Sequence, residues 1–212
     1  MMLRGFFKEQ RLILLTILPF FLMPSVVFAE VPVPQALIKD SSDRMQQALK
    51  ENKATIEKDP SFVYGLVDEI LLPNFDFSKM SKLALGKKNW RKANTAQRER
   101  FIGEFRLLLV RTYSTAMLEF IDGDIIFLPF RGDLAKKKVK VKMEIARLGG
   151  PTIPMSLSMY INKQKKWMVY DVKIDGISLV TNYRSTFGTE IRNNGMDKLI
   201  DNLSTRNQKV KL

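Results

Sequence analysis

The side chains that usually carry catalysis are scarce in this sequence. The chain of 212 residues contains no histidine and no cysteine, so Ser-His-Asp and Cys-His nucleophile systems are excluded and zinc loses its preferred ligands. Asp171, Asp175 and Glu190 could act as general acids or bases, but none has a partner at a spacing that would tune it. The sequence therefore predicts a protein that is not an enzyme, with no metal site and no cofactor. The alternative is a small α+β enzyme that acts on an apolar substrate with Asp171 or Asp175 as its base.

A net positive charge is the second chemical feature of the sequence. The formal net charge is +13, and lysines occupy alternate positions at Lys138, Lys140 and Lys142. Such a row is either the solvated face of a strand, where it discourages edge pairing, or an attractor for an anionic membrane or a lipid phosphate. Arg184 could hold a phosphate or an acidic partner, or form a salt bridge with Asp171 or Asp175. No helix-turn-helix, RNA-binding or zinc-finger pattern occurs in the sequence, so nucleic acid is not an expected partner.

The most distinctive residues are apolar. Methionine and aliphatic side chains recur on the side of the predicted strands that we expect to be covered: Met143, Met155, Leu157, Met159, Met168 and Val172. Methionine fills irregular space and adapts to varied ligands, but most apolar stripes are simply protein core. The pattern fits both interpretations, and the pocket gains weight because the chain offers little other chemistry.

The predicted pocket is organised around one joint, Trp167–Phe187, where a strand passes directly into a helix. The strand alternates with period two, which predicts one face from Met168, Tyr170, Val172 and Ile174 and the other from Trp167, Val169, Asp171 and Lys173. Asp175-Gly176 ends the strand, and Ser178 is placed to cap the helix. We predict that this joint closes one wall of an apolar pocket.

The rest of the chain supplies the other walls. Three strands precede the joint: Ile125–Phe130, Val139–Ile145 and Ile153–Ile161. Helical spacing predicts Ala36–Lys58 as a surface helix whose one buried side carries a narrow stripe of Leu37, Met45, Leu49 and Ile56. It predicts a segment from Phe62 that Pro73 stops, and a short helix that Asp76 or Ser78 caps and Gly86 ends. It also predicts a long enclosed helix over Thr95–Ile121 behind an Asn94–Gln97 capping box, and C-terminal helices that pause at Asn193-Asn194-Gly195. We predict an α+β fold, a curved antiparallel sheet of about four strands with helices on one face, enclosing an apolar cavity.

The N-terminal segment predicts export. Three basic residues precede an apolar run over residues 12–28, and Ala29 provides the small residue of a cleavage site. The run would just suffice for a retained membrane anchor, but its two prolines and the small residue favour cleavage. We therefore predict a signal peptide over residues 1–29, a single α+β domain over 30–203 and a loose basic tail over 204–212. An exported chain without cysteine suits a Gram-negative periplasm.

Several short stretches follow one another in a specific order: Leu71-Leu72-Pro73 with Phe75, Asp76 and Phe77; Ala84-Leu85-Gly86 and Trp90-Arg91; Ala96-Gln97-Arg98 with Phe101 and Phe105; Thr112-Tyr113; Val169-Tyr170-Asp171; Gly176-Ile177-Ser178-Leu179; and Asn182-Tyr183-Arg184. In this order behind a signal peptide, the sequence resembles the MlaC family, also called the toluene-tolerance auxiliary family. The resemblance covers nearly all of the mature chain.

The resemblance implies a function and a set of partners. Members of the family are periplasmic phospholipid carriers of the lipid-asymmetry pathway, with no catalytic residues and with acyl chains held in the interior. It implies exchange of phospholipid between an outer-membrane lipoprotein–porin complex and the lipid-binding subunit of an inner-membrane ABC transporter. A diacyl lipid needs an enclosed cavity, which we expect to approach ~1,000 Å³.

The predicted site has two parts. The expected lipid-binding residues are Leu66, Val67, Ile70, Leu108, Leu109, Thr112, Val141, Met143, Met155, Leu157, Met159, Tyr170, Val172, Ile174, Ile177 and Tyr183. The expected residues for headgroup or membrane docking are Lys138, Lys140, Lys142 and Arg184.

Overall fold

The helical segments of the sequence form six helices in a computed structural model, which describes residues 33–118, 123–147 and 150–209. They are α1 (Pro34–Glu51), α2 (Lys53–Lys58), α3 (Phe62–Leu66), α4 (Phe77–Lys92), α5 (Thr95–Leu118) and α6 (Leu179–Lys209). A π-helical turn over Val67–Leu71 and a 3-10 turn over Leu72–Asn74 connect α3 to α4. The predicted signal peptide lies outside the described residues. In the described residues no helix is long and apolar enough to span a bilayer.

Three helix starts follow the capping chemistry of the sequence. Asp76 Oδ1 accepts a hydrogen bond from the amide three residues on at 2.8 Å. Asn94 and Gln97 form a reciprocal capping box, with hydrogen bonds of 3.1 and 2.8 Å. Ser178 Oγ accepts from the amide of the third residue beyond it at 3.2 Å. Each cap satisfies an amide that has no partner inside its helix, and all three predicted caps are confirmed.

Two glycines break the longer helices. Gly86 has φ 72° in α4, and Gly195 has φ 83° in α6. Positive φ is strained for residues with a Cβ, so these glycines set the predicted stop and the predicted pause. The helix resumes after each of them and α6 continues to Lys209. Asn207 is only 4% exposed and donates to the Glu104 carbonyl at 3.0 Å. The prediction of a loose tail from residue 204 is therefore wrong as far as residue 209.

The described strands form one antiparallel sheet in which neighbours in sequence are also neighbours in space, and the predicted antiparallel sheet is confirmed. The five described strands are β1 (Ile125–Phe127), β2 (Lys138–Arg147), β3 (Gly150–Ile161), β4 (Trp167–Ile174) and β5 (Ile177–Ser178). The α+β class is confirmed. The fifth strand was missed because it has only two residues and lies between the Asp175-Gly176 turn and the start of α6.

A β-bulge in β4 changes which side chains face the helices. Ser158 pairs with Asp171 while the next residue, Met159, pairs with Val169, so Tyr170 is an extra residue in the ladder. Trp167 and Val169 consequently join the core on the same side as Val172. The predicted face that grouped Met168 and Tyr170 with Val172 and Ile174 is wrong, since strict alternation does not survive the bulge.

The largest part of the core lies where α4, α5 and α6 cover the sheet. Four aromatic side chains pack there with ring centroids 5.2–5.6 Å apart: Phe101, Phe105, Tyr183 and Phe187. A second apolar cluster joins α1, α2, α3 and the π-helical turn to Val110 of α5. The region between these two clusters positions the candidate site.

Candidate apolar cavity

A cavity of about 410 Å³ lies between the inner face of the sheet and helix α1. The sheet contributes Ile125, Met143, Ile145, Ile153, Met155, Leu157, Val172 and Ile174 to its lining. Helix α1 contributes Ile38, Ser41, Ser42, Met45, Gln46 and Leu49. The rest comes from Val67, Leu71, Leu72, Asn74, Phe75, Phe77, Met80, Leu109, Val110, Tyr113, Ser114 and Leu179. None of these described lining side chains carries a charge, so the cavity suits an apolar ligand.

The register of the sheet builds the floor of the cavity. Met143 of β2 lies opposite Met155 of β3, and Leu157 of β3 lies opposite Val172 of β4. Directly opposed side chains in an antiparallel pair project on the same side of the sheet. The alternating apolar residues of three strands therefore form one continuous surface.

Helix α1 forms the opposite wall, which the sequence prediction missed. Ile38, Met45 and Leu49 are buried and line the cavity, although α1 was expected to lie on the surface. Met45 and Leu49 belong to the narrow helical stripe that the sequence predicts for the buried side of this helix, together with Leu37 and Ile56. Ile38 was not assigned to that stripe, and the stripe was not expected to line a cavity. Ser41 Oγ is satisfied internally, because it donates to Leu37 O at 2.9 Å and accepts from Asn74 Nδ2 at 2.8 Å.

The structure brings fewer than half of the predicted lipid-binding residues to the cavity. Those in the lining are Val67, Leu109, Met143, Met155, Leu157, Val172 and Ile174. Ile70, Leu108, Val141 and Met159 are buried in the surrounding core and fall outside the lining. Apolar spacing identifies the buried face, but it does not separate residues that touch empty space from residues that touch one another.

The remaining predicted lipid-binding residues lie away from the cavity. Leu66 is half-buried and Thr112 is exposed on its helix. Ile177 is 60% exposed in the short strand β5. Tyr183 packs in the aromatic cluster, 5.3 Å from the Phe105 ring. Tyr170 is on the other face of the sheet because of the bulge.

Tyr170 belongs to a polar cluster on that other face. Lys79 Nζ lies 3.0 Å from the ring centroid of Tyr160 and 5.1 Å from that of Tyr170. The Tyr160 hydroxyl donates to the Asp76 carboxylate. Burial first, and this hydrogen bond second, raise the pKa of Tyr160 to about 12. Burial lowers the pKa of Lys79, an effect that the Asp76 charge opposes. The cluster fastens the start of α4 to the sheet.

Tyr113 is the titratable group in the described cavity lining. Burial, followed by its interaction with Tyr183, raises the pKa of Tyr113 to about 12. The phenol is therefore neutral at physiological pH. Because Tyr183 packs in the aromatic cluster, this pair also links the cavity to the largest part of the core.

The carboxylates that were considered as catalytic bases lie elsewhere. Asp171 accepts from Ser178 Oγ at 2.8 Å and from the Val180 amide at 3.3 Å, so it holds the strand-to-helix joint together. Asp175 occupies the tight turn with φ 48°. Neither is in the described lining of the cavity, and the geometry gives the enzyme alternative no support. The described residues also contain no cluster of acidic side chains that could hold a metal.

The predicted docking residues are exposed and fall outside the cavity lining. Lys138, Lys140 and Lys142 project from the solvent side of β2. Arg184 Nε donates to the Leu83 carbonyl at 2.7 Å, beside the helix break at Gly86. Among the described residues Arg184 has no ion pair with Asp171 or Asp175. Its observed contact satisfies a carbonyl that the break leaves without a helical partner.

The chain is similar in sequence to known proteins. A model of the family described as MlaC protein matches residues 39–205. The toluene tolerance protein ttg2D of Pseudomonas putida is 28% identical over 170 residues, which are 79% of this chain and 78% of that protein. The intermembrane phospholipid transport system binding protein MlaC of Haemophilus influenzae is 23% identical over 195 residues, 91% of this chain and 90% of that protein.

The similarity extends to the fold. A solved structure of the phospholipid-binding protein from Ralstonia solanacearum, in complex with a phospholipid, superposes with a TM-score of 0.75. Its sequence is 26% identical, and the match covers 82% of this chain and 97% of that one. The match thus extends over nearly the whole of a protein that was solved with a lipid bound.

Proposed function

This chain belongs to the MlaC family, and on that premise we propose that it is a periplasmic phospholipid carrier. The observation that supports the proposal is the uncharged apolar cavity of about 410 Å³ between the sheet and α1. Transfer of one methylene out of water is worth about 0.8 kcal/mol, so a sixteen-carbon chain gains roughly 12 kcal/mol. That gain is realised where the acyl chain is removed from water, and the apolar lining between the sheet and α1 provides such a surface.

The volume of the cavity suits one acyl chain. A cavity of about 150 Å³ binds benzene, which corresponds to roughly 25 Å³ for each carbon atom. By that measure 410 Å³ accommodates about sixteen carbons. The cavity is less than half of the ~1,000 Å³ expected for a diacyl lipid. We infer that a second chain enters only if α1 and the turns beside it move away from the sheet.

The cellular role is the finer part of the proposal. We place the protein in the periplasm, where it exchanges phospholipid between an outer-membrane lipoprotein–porin complex and the lipid-binding subunit of an inner-membrane ABC transporter. The predicted signal peptide and the family support this role. The exposed row Lys138, Lys140 and Lys142 supports approach to anionic headgroups, because lysines near a membrane surface each contribute about 1 kcal/mol of attraction. Arg184 is the weaker docking candidate, since its guanidinium already holds a backbone carbonyl.

Mass analysis of the ligand tests the function. The full chain is expressed in a Gram-negative host, recovered from the periplasm, and examined by native mass spectrometry and solvent extraction. We expect phospholipid to co-purify. A protein that is repeatedly lipid-free, and that also takes up no phospholipid from vesicles, would contradict the proposal.

A further inference from the structure

The polar side chains in the cavity lining differ in whether they have a hydrogen-bond partner within the protein. Six of the described lining residues are polar: Ser41, Ser42, Gln46, Asn74, Tyr113 and Ser114. Five have hydrogen-bond partners within the protein, among them the carbonyls of Leu37, Ile38 and Gly123. Ser114 Oγ has no partner among the described residues.

Ser114 is unusual for a helical serine. A serine within a helix commonly donates to the carbonyl four residues earlier, and Ser41 and Ser42 do so at 2.9 and 2.8 Å. Ser114 is only 1% exposed, so bulk water does not replace that bond. A buried hydroxyl without a partner is unfavourable. Because Ser114 belongs to the lining of the cavity, a bound ligand can supply the acceptor that the described protein does not.

The lining restricts the chemistry of that partner. A carboxylate or phosphate beside Ser114 would be buried without a countercharge, because the described lining contains no charged side chain. Burial of an unpaired charge is strongly unfavourable, which leaves a neutral acceptor. In a phospholipid the neutral acceptors next to the acyl chains are the ester carbonyls.

We propose that Ser114 Oγ donates a hydrogen bond to an ester carbonyl of the bound phospholipid and thereby fixes the depth to which the acyl chain enters. The inference rests on the proposed function and extends it to a residue and a ligand group. Ser114 lies nine residues beyond Phe105, which corresponds to about 13 Å along α5. The ester is thus held toward the C-terminal end of α5, beside Tyr113.

The chain provides a matched control for the experiment. Ser81 is also fully buried and its hydroxyl has no partner among the described residues, but Ser81 is not in the cavity lining. Ser114→Ala, Ser81→Ala and the wild type, all purified as the full chain and delipidated, are titrated with two lipids. One is dioleoyl phosphatidylglycerol, and the other is its diether analogue, which lacks both carbonyls. Affinity is measured by displacement of a phospholipid with a fluorescent tail.

We expect the wild type to prefer the ester lipid about fivefold, which corresponds to about 1 kcal/mol for one hydrogen bond. Ser114→Ala should lose this preference by weakening ester binding alone. Ser81→Ala should retain it. Ser114→Thr keeps the hydroxyl and should also retain the preference, which separates the hydrogen bond from a packing defect.

Each contrary result has a distinct meaning. A wild type that binds both lipids equally, or a Ser114→Ala variant that weakens both equally, overturns the role of Ser114 and leaves the carrier function intact. A wild type that binds neither lipid overturns the carrier function itself. Oleate has a similar acyl chain that ends in a carboxylate and not in an ester, so it tests whether the ester itself is recognised. If it binds as tightly as the phospholipid and loses as much affinity in Ser114→Ala, the ester assignment is wrong.

Discussion

The inner face of the sheet is filled at one end and hollow at the other. At the filled end Val139, Val141, Met159 and Val169 are buried against neighbouring side chains. At the hollow end Met143, Ile145, Ile153, Met155 and Ile174 line the cavity. The same strands supply both ends, and their apolar alternation is the same in both. What distinguishes the two ends is therefore the layer that covers them.

The covering helices present different volumes to the sheet. Outside the cavity lining, Phe101 and Phe105 of α5 pack against Phe187 of α6 in the same core cluster as the filled end. Over the hollow end, α1 presents Ser41 and Ser42 between its larger apolar residues. These serines direct their hydroxyls to carbonyls of their own helix. Short side chains that are satisfied internally leave space without leaving unpaired polar groups.

The largest expected effect comes from placing the same charge at each end. Val141→Glu buries a carboxylate in the filled end, where Val141 is completely inaccessible, and should prevent folding. Met155→Glu directs the carboxylate into the cavity and should leave a folded protein that no longer loads phospholipid. Far-UV circular dichroism and native mass spectrometry check the two outcomes. Two unfolded variants would show that the hollow end is ordinary core.

Truncation of one side chain to alanine at each end of the sheet should give a smaller difference, measured as the free energy of unfolding. Phe105→Ala removes a ring that contacts Phe101, Tyr183 and Phe187, and we expect a loss of about 3–5 kcal/mol in the free energy of unfolding. Met155→Ala should cost about 1 kcal/mol or less, because that side chain already borders empty space. Urea unfolding of the lipid-free proteins measures both. Equal losses would remove the distinction between the ends.

Sequence patterns predicted more of the fold than of the candidate site. The capping residues Asp76, Asn94 and Ser178 act through local hydrogen bonds, so they could be recognised in the sequence. The bulge at Tyr170 could not, because an extra residue in a ladder is defined by the partner strand. Tyr170 was consequently assigned to the wrong face.

Prediction of the cavity from the sequence has the same limit, because the cavity depends on contacts between distant segments. Met143 and Val141 both alternate inward on β2, yet only Met143 borders the cavity. Whether an inward residue meets a ring or a gap depends on the helix opposite, which is distant in sequence. The role of Ile38 in α1 was missed for this reason, and so was that of Ser114.

Filling the hollow end from α1 should shift its properties toward those of the filled end. Ser42→Leu places a larger apolar group in the lining and should lower phospholipid loading several-fold. The free energy of unfolding should stay the same or rise by about 1 kcal/mol, since new apolar contacts replace a void. Gln47→Leu adds the same side chain on the exposed face of α1 and serves as the control. Unchanged loading in Ser42→Leu would show that the lipid does not occupy this part of the cavity.

The smallest effect concerns Tyr113, which connects the two ends through Tyr183. Its folded-state pKa of about 12 lies above the ordinary value of 10.0, so the native state holds the proton longer than the unfolded chain does. The associated stability is fully present below pH 10 and is lost as the pH rises through about 12. In Tyr113→Phe the free energy of unfolding should therefore fall less steeply across this interval than in the wild type.

Tyr160 provides the matched control for Tyr113, because burial and Asp76 raise its pKa to about 12 on the other face of the sheet. In lipid-free Tyr160→Phe, the free energy of unfolding should also fall less steeply with rising pH than in the wild type. Bound phospholipid, however, should raise the ionisation pH of Tyr113 alone, since only Tyr113 lines the cavity in the described structure. Ultraviolet absorbance of ionised tyrosine should thus respond to lipid in Tyr160→Phe and much less in Tyr113→Phe. An equal response in both variants would mean that the ligand does not reach the hollow end beside Tyr113.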